Sequence, residues 1–191
     1  MTKAVLPNAF IIGVQKAGTT TLDDWMSQHP QVYCYDSLKD VHLFGVTSDE
    51  VINTKFLQEP QPYTQQPVVL QSAVNYIFYP ALLKAIHEKC PNAKLIAIIR
   101  NPVDRAISAY SYFKKMLREK REPQQALQYE PQEIHAFSKD TSDFTYIEHG
   151  LYYRQLQQCF AYFKKEQVLV LDYDDMVKKP IELTKRIYDF L

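Results

Sequence analysis

Between Gly13 and Thr20 the chain reads Gly-Val-Gln-Lys-Ala-Gly-Thr-Thr, a set of residue types suited to holding an anion. Gly13 and Gly18 let the backbone approach a ligand closely, Lys16 adds a mobile cation, and Thr19 and Thr20 bring hydroxyl donors or an N-cap. An apolar run of strand length, Ala9 to Ile12, leads into the loop and a helix-like pattern leaves it. Loop N–H groups and the free N–H groups of a helix start then converge on one spot, with partial positive charge behind them. The implied chemistry is capture of an anion of phosphate size. The glycine spacing is that of the nucleotide-binding loop G-x-x-x-x-G-K-[ST], but Thr19 stands where that loop has its lysine, and Lys16 lies inside the loop. A plain Gly-Thr connection between strand and helix would share part of this pattern.

A second group follows the most apolar run of the chain, Ala93 to Ile99: Arg100-Asn101-Pro102-Val103-Asp104-Arg105-Ala106-Ile107-Ser108-Ala109-Tyr110. In an open parallel sheet, ligands bind beyond the carboxyl ends of the strands, so Arg100 faces the same region as the first loop. Arg100 offers a planar fork for a phosphate and Ser108 a hydroxyl. Alone, each also suits an ordinary surface position. Two anion-binding groups on one sheet edge point to one doubly phosphorylated ligand.

The elements that must position these groups follow from periodicity. A helix is predicted over about 19–28, with Leu22, Trp25, Met26 and His29 on one face, then a strand over 31–35 and an irregular polar segment over 36–44. A helix over 50–57 and a Pro-rich loop lead to a strand over 68–71. Pro80 starts a helix through Lys89 with Ala81, Leu82, Ala85 and Ile86 facing inward. The helix opened by Pro102 is expected to bury Val103, Ala106, Ile107, Tyr110, Phe113 and Leu117. A mobile insertion is expected over 122–143, then a helix over 150–163, a strand over 167–171 and a helix over 180–191. Strands alternating with helices imply a three-layer α/β/α fold with a central parallel sheet, as a single domain over 1–191.

Composition narrows the partners. Lys plus Arg and Asp plus Glu number 22 each, so global charge argues for neither nucleic acid nor an anionic membrane. Apolar residues make up 46%, ordinary for a globular chain, and no stretch resembles a membrane span or signal peptide. Cys34, Cys90 and Cys159 are odd in number and widely spaced, which fits buried free thiols in a reducing compartment, most simply cytoplasm. No cluster has metal-ligand spacing, and no metal is expected.

Gln15-Lys16-Ala17-Gly18-Thr19-Thr20 resembles the 5′-phosphosulfate loop of sulfotransferases that use 3′-phosphoadenosine 5′-phosphosulfate (PAPS), especially the branch containing the heparan sulfate sulfotransferases. The spacing R-x-P-x-x-R-x-x-S-x-Y from Arg100 also matches that family, which uses this arginine and serine for the 3′-phosphate of PAPS. The resemblance runs in family order from residue 9 to residue 191 and implies a P-loop nucleotide-hydrolase-like fold. It implies Gln15, Lys16, Ala17, Gly18, Thr19, Thr20, Arg100 and Ser108 as donor-binding residues.

Lys39-Asp40-Val41-His42-Leu43-Phe44 is similar to the family's K-E-x-H-F-F segment, whose acid is the proposed base. Sulfuryl transfer needs a proton acceptor beside the attacking hydroxyl or amine, and Asp40 and His42 both qualify. The acid here is one methylene shorter, and an imidazole with an ordinary pKa of about 6.5 suits the role as well. Lys16 and Lys39 would stabilise charge on the leaving oxygen.

Gln71-Ser72-Ala73-Val74-Asn75-Tyr76 aligns with the family's E-K-S-P-x-Y but lacks its glutamate and lysine. That departure weakens the case for a highly sulfated polysaccharide, and the acceptor is a small molecule or a carbohydrate. The basic run Lys114, Lys115, Arg118, Lys120 and Arg121 is either a hold for an anionic acceptor or a solvated helix end. Family members usually continue into a basic, Gly-containing loop that closes over the nucleotide; this sequence stops at Leu191, so either it is truncated or closure is achieved otherwise, and if the loop is absent in nature nucleotide affinity and turnover should be weak. Two rivals stand beside the sulfotransferase reading: a kinase-like phosphotransferase in which Val168 to Asp172 organises Mg²⁺, and a non-catalytic nucleotide-binding module.

Overall fold

The computed structural model describes residues 5–35, 40, 44, 48–57, 62–128 and 144–191. Strands β1 (Ala9–Gly13), β2 (Val32–Cys34), β3 (Val68–Ser72), β4 (Lys94–Ile99) and β5 (Val168–Asp172) form one sheet in the order β2-β3-β1-β4-β5. Every neighbouring pair is parallel. The helices are α1 (Thr19–Ser27), α2 (Asp49–Leu57), α3 (Pro80–Lys89), α4 (Pro102–Lys115), α5 (Pro123–Ala126), α6 (Tyr152–Phe160), α7 (Tyr173–Lys178) and α8 (Pro180–Phe190).

All residues of β1 are buried, as are Leu95 to Ile98 of β4, because a central parallel strand is covered on both faces. The chain crosses the sheet one way from β1 to β2 and the other way from β3 to β4. Right-handed crossovers therefore put α1 and α3 on opposite faces, giving the three layers expected. The His29 ring just past α1 lies 4.5 Å from Tyr188 of α8, while α3 packs against α6. Among the described residues no helix is long and apolar enough to cross a membrane.

Pro80 and Pro102 open α3 and α4 as predicted, since a proline in the first turn sacrifices no hydrogen bond. The buried face of α4 differs from the expected one. Arg105, Ala106, Ala109 and Phe113 point inward, while Val103 is 64% exposed, Ile107 50% and Leu117, beyond the helix, 85%. The stripe is rotated because Arg105 takes a core position, where the Tyr146 carbonyl, distant in sequence, accepts from it. Trp25 and His29 are only half-buried, and Leu22 and Met26 carry the α1 contact together with Thr19 and Asp23. A short helix, α7, follows β5 directly, capped by the Asp172 carboxylate, which accepts from the Asp174 amide at 2.8 Å. In the segment expected to be a mobile insertion, Pro123–Ala126 is helical with Ala126 buried; 129–143 lies outside the described residues.

Candidate active site

The carboxyl end of β1 is where the sheet becomes a binding loop. Ile11 pairs with Ile96 but Gly13 with Ala97, a one-residue irregularity that turns the chain out of the sheet. The loop is then tied back by Val14 N–H donating to the Ile98 carbonyl at 3.0 Å and Ala17 N–H to the Val14 carbonyl at 3.2 Å. Both glycines are required by space as well as by conformation. Gly13 has φ 148°, and a Cβ there would sit 2.6 Å from Ile77 Cγ2 and 2.8 Å from the Val74 carbonyl. Gly18 has φ 87°, and its Cβ would lie 2.9 Å from Met176 Sδ and 3.2 Å from the Tyr173 ring.

The start of α1 differs from the starts of α4 and α7. Asn101 caps α4, accepting from the amides of Val103 and Asp104 at 3.0 and 3.3 Å, and Asp104 adds negative charge in the first turn. By contrast, Gly18 caps α1 with no side-chain hydrogen bond and no acidic residue in the first turn. The positive end of α1 is thus left with neither a side-chain cap nor a first-turn acid, as are those of α3 and α6. Gln15, Ala17 and Thr19 are buried in the loop wall, Lys16 and Gly18 are half-buried, and Thr20 is exposed.

Two cations share this spot. Arg100, at the carboxyl end of β4, donates from Nη1 to the Lys16 carbonyl at 3.3 Å. Each charge lies on an aromatic face: Lys16 Nζ is 4.0 Å from the centroid of Tyr112, and the Arg100 guanidinium 4.6 Å from that of Tyr173. Such contacts stabilise by about 0.5–1 kcal/mol at exposed sites. Burial, with the Arg100 charge as the lesser cause, holds the Lys16 ammonium below the usual lysine range. An anion beside Lys16 would favour its charged form. The Arg100 backbone is fixed from the other side by Tyr152, whose hydroxyl donates to the Arg100 carbonyl at 2.8 Å. Ser108 is half-buried in the second turn of α4, one turn before Tyr112.

Asp40 lies on the same sheet edge. Its amide donates to the Ser72 carbonyl at 2.9 Å at the end of β3, its φ is 57°, and its side chain is exposed. Aspartate tolerates the left-handed region better than most side chains. His42 and Lys39 lie outside the described residues. Ser72 pairs with Ile11 across the β1–β3 ladder, so Asp40 is anchored one strand away from the strand that carries the loop.

Beneath α4 lies a different polar cluster. Arg105 is fully buried and donates to the Tyr146 carbonyl; burial lowers its pKa to about 10. Glu119, buried, accepts from Arg121 Nη2 at 2.8 Å and from the Tyr146 hydroxyl at 2.9 Å, and Arg121 above all holds it down to about 2. His149 stacks on Phe78 at 3.7 Å and is buried, which lowers it to about 3, the Arg105 charge adding to the effect. This cluster also absorbs much of the basic run. Lys114 pairs with Glu122 at 3.4 Å, and the Arg118 guanidinium lies over Phe113 and Phe144. Lys115 and Lys120 of the same run are exposed.

The structure thus brings Gln15 to Thr20, Arg100 and Asp40 to one edge of the sheet and puts Ser108 on the helix that leaves it. Sequence reasoning missed Tyr112 and Tyr173, the rings that carry the two cations. The rule that ligands gather at strand ends applied to Tyr173, the first residue after β5, as much as to Arg100. Tyr112 had no such signal beyond being four residues after Ser108 on one helix.

Comparison with known proteins agrees with the fold. The chain is 24% identical to the mouse heparan sulfate glucosamine 3-O-sulfotransferase 5 over 97% of its own length and 53% of that protein's. It is 28% identical to the Caenorhabditis elegans bifunctional heparan sulfate N-deacetylase/N-sulfotransferase 1, over 94% of this chain and 21% of that one. It therefore spans about half, or less, of the curated relatives it matches. Among solved structures, a sulfotransferase from Alicyclobacillus acidocaldarius superposes with a TM-score of 0.80 and 27% identity, over 98% of this chain and 81% of that chain. The family model of the sulfotransferase domain matches residues 6–191, and the chain belongs to that family.

Proposed function

We propose that this chain transfers a sulfuryl group from PAPS to a hydroxyl or amine of a carbohydrate or small-molecule acceptor. The observation that carries the reading is the pairing of Lys16 and Arg100 beside an uncapped helix start, two cations held against aromatic rings with no acidic residue in the first turn of α1. When bound, PAPS supplies the sulfur centre: its S–O bond to the 5′-phosphate breaks as the acceptor oxygen or nitrogen bonds to sulfur, and 3′-phosphoadenosine 5′-phosphate (PAP) departs.

The roles of the chain's own residues follow. The amides of the 13–20 loop, with Thr19 and Thr20, hold the 5′-phosphosulfate, and Lys16 stabilises negative charge on the leaving oxygen. Arg100 and Ser108 hold the 3′-phosphate. The proton of the attacking group goes to Asp40 or to His42; Asp40 has its backbone anchored at the end of β3. Gln71 and Ser72, buried and uncharged at the end of β3, favour an acceptor that is not a polyanion. The phosphotransferase reading loses support because the Asp172 carboxylate is engaged as the cap of α7, on an edge strand.

The test is transfer of labelled sulfate from PAPS, without metal, to a panel of hydroxyl and amine acceptors, with Asp40→Asn and His42→Ala alongside. Loss of the base lowers the transfer rate by about 100-fold or more while PAP binding persists. A requirement for ATP and Mg²⁺, with no use of PAPS, would overturn the reading. Tight PAP binding with no transfer to any acceptor would leave a binding module.

Location is proposed from cysteine usage. Cys34, Cys90 and Cys159 are free thiols, and burial pushes Cys90 up to about 11 and Cys159 to about 12, which keeps them unreactive. Such usage suits the cytoplasm. Fractionation of the source cells that finds the protein in a secreted or luminal fraction would contradict it.

A further inference from the structure

Lys16 is the one cation of the binding loop, and its ammonium does not point freely into solvent. It lies 4.0 Å from the centroid of Tyr112, a residue of α4 placed one helical turn beyond Ser108 and therefore on the same side of that helix. The backbone of Lys16 is committed too: it has φ 66°, and its carbonyl accepts from Arg100. Main chain and side-chain tip are thus held by two different elements, β4 through Arg100 and α4 through Tyr112. The Tyr112 ring is 43% exposed, so it fills no core position that would explain its placement by packing.

We propose that Tyr112 is a positioning residue for Lys16: its ring face holds the ammonium between the loop and the Ser108 side of α4, ready for the oxygen that leaves with the 5′-phosphate. The inference rests on the reading of Lys16 as the leaving-group residue. It makes the aromatic face, rather than the hydroxyl, the functional part of Tyr112. Phenylalanine should therefore replace tyrosine, and leucine should not.

Reductive ¹³C-methylation of the lysines keeps their charge and gives each an NMR signal, that of Lys16 being identified by its loss in Lys16→Arg. A methyl group above an aromatic face is shifted upfield, so the Lys16 signal should lie upfield of the other lysines in the wild type and in Tyr112→Phe, and return to them in Tyr112→Leu. In transfer assays on unmethylated protein Tyr112→Leu should lower kcat by about three- to fivefold with KM for PAPS little changed, and Tyr112→Phe should restore it. An unshifted Lys16 signal in the wild type, or a leucine variant with full kcat, overturns the proposal. Adding PAP separates this claim from the one beneath it. If the upfield signal is present but PAP leaves it unmoved, the contact stands and the donor-site reading fails; if PAP moves a signal that was never shifted, the reverse holds.

Discussion

Two arginines five residues apart show how differently the same charge is treated on the two sides of α4. Arg100 is half-buried at the edge of the sheet, beside a second cation and an uncapped helix start, with an aromatic ring as its neighbour. Arg105 is fully buried and stands in a cluster with Tyr146, Glu148 and Tyr152, while Glu119 and Arg121 neutralise one another close by. In the lower cluster Glu119 and Arg121 form an internal pair and Arg105 is held in the core by the Tyr146 carbonyl, which is the arrangement of a scaffold. The upper edge sets two cations together with no acid in the first turn of α1, an arrangement suited to the anion proposed for it. Variants at the upper edge should change ligand binding, and variants in the lower cluster should change stability.

The largest effect is expected from Gly18→Ala at the upper edge, which should change stability as well as binding because the glycine is packed against Met176 and Tyr173 of α7. A Cβ in the left-handed region and in that space costs about 2–3 kcal/mol, and thermal unfolding of the variant should show it together with weaker PAP binding. Unchanged stability would mean that the loop relaxes without loss. Next comes Glu119→Gln, which leaves Arg121 and the Tyr146 hydroxyl with a weaker partner and should destabilise by about 1–3 kcal/mol. Its PAP affinity should stay at the wild-type value; a loss of affinity without a loss of stability would contradict the division. Glu119 also predicts a pH dependence. Its folded pKa is depressed to about 2 from an ordinary 4.5, so its contribution is full above 4.5 and disappears as the pH falls toward 2. Chemical denaturation from pH 6 to pH 3 should therefore show a steeper loss in the wild type than in Glu119→Gln.

The smallest effect is expected from Lys16. Its pKa is lowered in the free protein by burial and by Arg100, and a bound anion raises it again. Binding then takes up a proton where free Lys16 is neutral, so PAP affinity should fall with rising pH before the ordinary lysine value of 10.5 is reached. Titrations in buffers of different ionisation enthalpy would detect the proton, and Lys16→Arg should flatten the profile.

Much of this division was legible beforehand, for a reason that particular residues make plain. Gly13, Gly18 and the prolines at 80 and 102 act through their own backbone, so local sequence marks the loop and two helix starts. Arg105 could not be read in that way. The group that accepts from it is the Tyr146 carbonyl, 41 residues away, and without that knowledge an arginine among alanines looks solvent-facing. The helix α7 was hidden similarly, because Asp172-Tyr173-Asp174-Asp175 carries no apolar period and its helix start is marked only by the Asp172 cap. At the acceptor side, the motif over 39–44 showed which residue types to expect, while Asp40 is the part of it whose anchoring at Ser72 is described.

The central claim is that the sheet edge bearing Lys16 and Arg100 binds a doubly phosphorylated nucleotide. Its most direct test is calorimetric titration of PAP into the protein without metal, in parallel with Arg100→Ala and with ATP plus Mg²⁺ as the competing ligand. Metal-free binding that Arg100→Ala weakens by about 10- to 100-fold, with the fold unchanged, is the predicted result. Equal affinity in the Arg100→Ala variant, or preference for ATP plus Mg²⁺ over PAP, would contradict it.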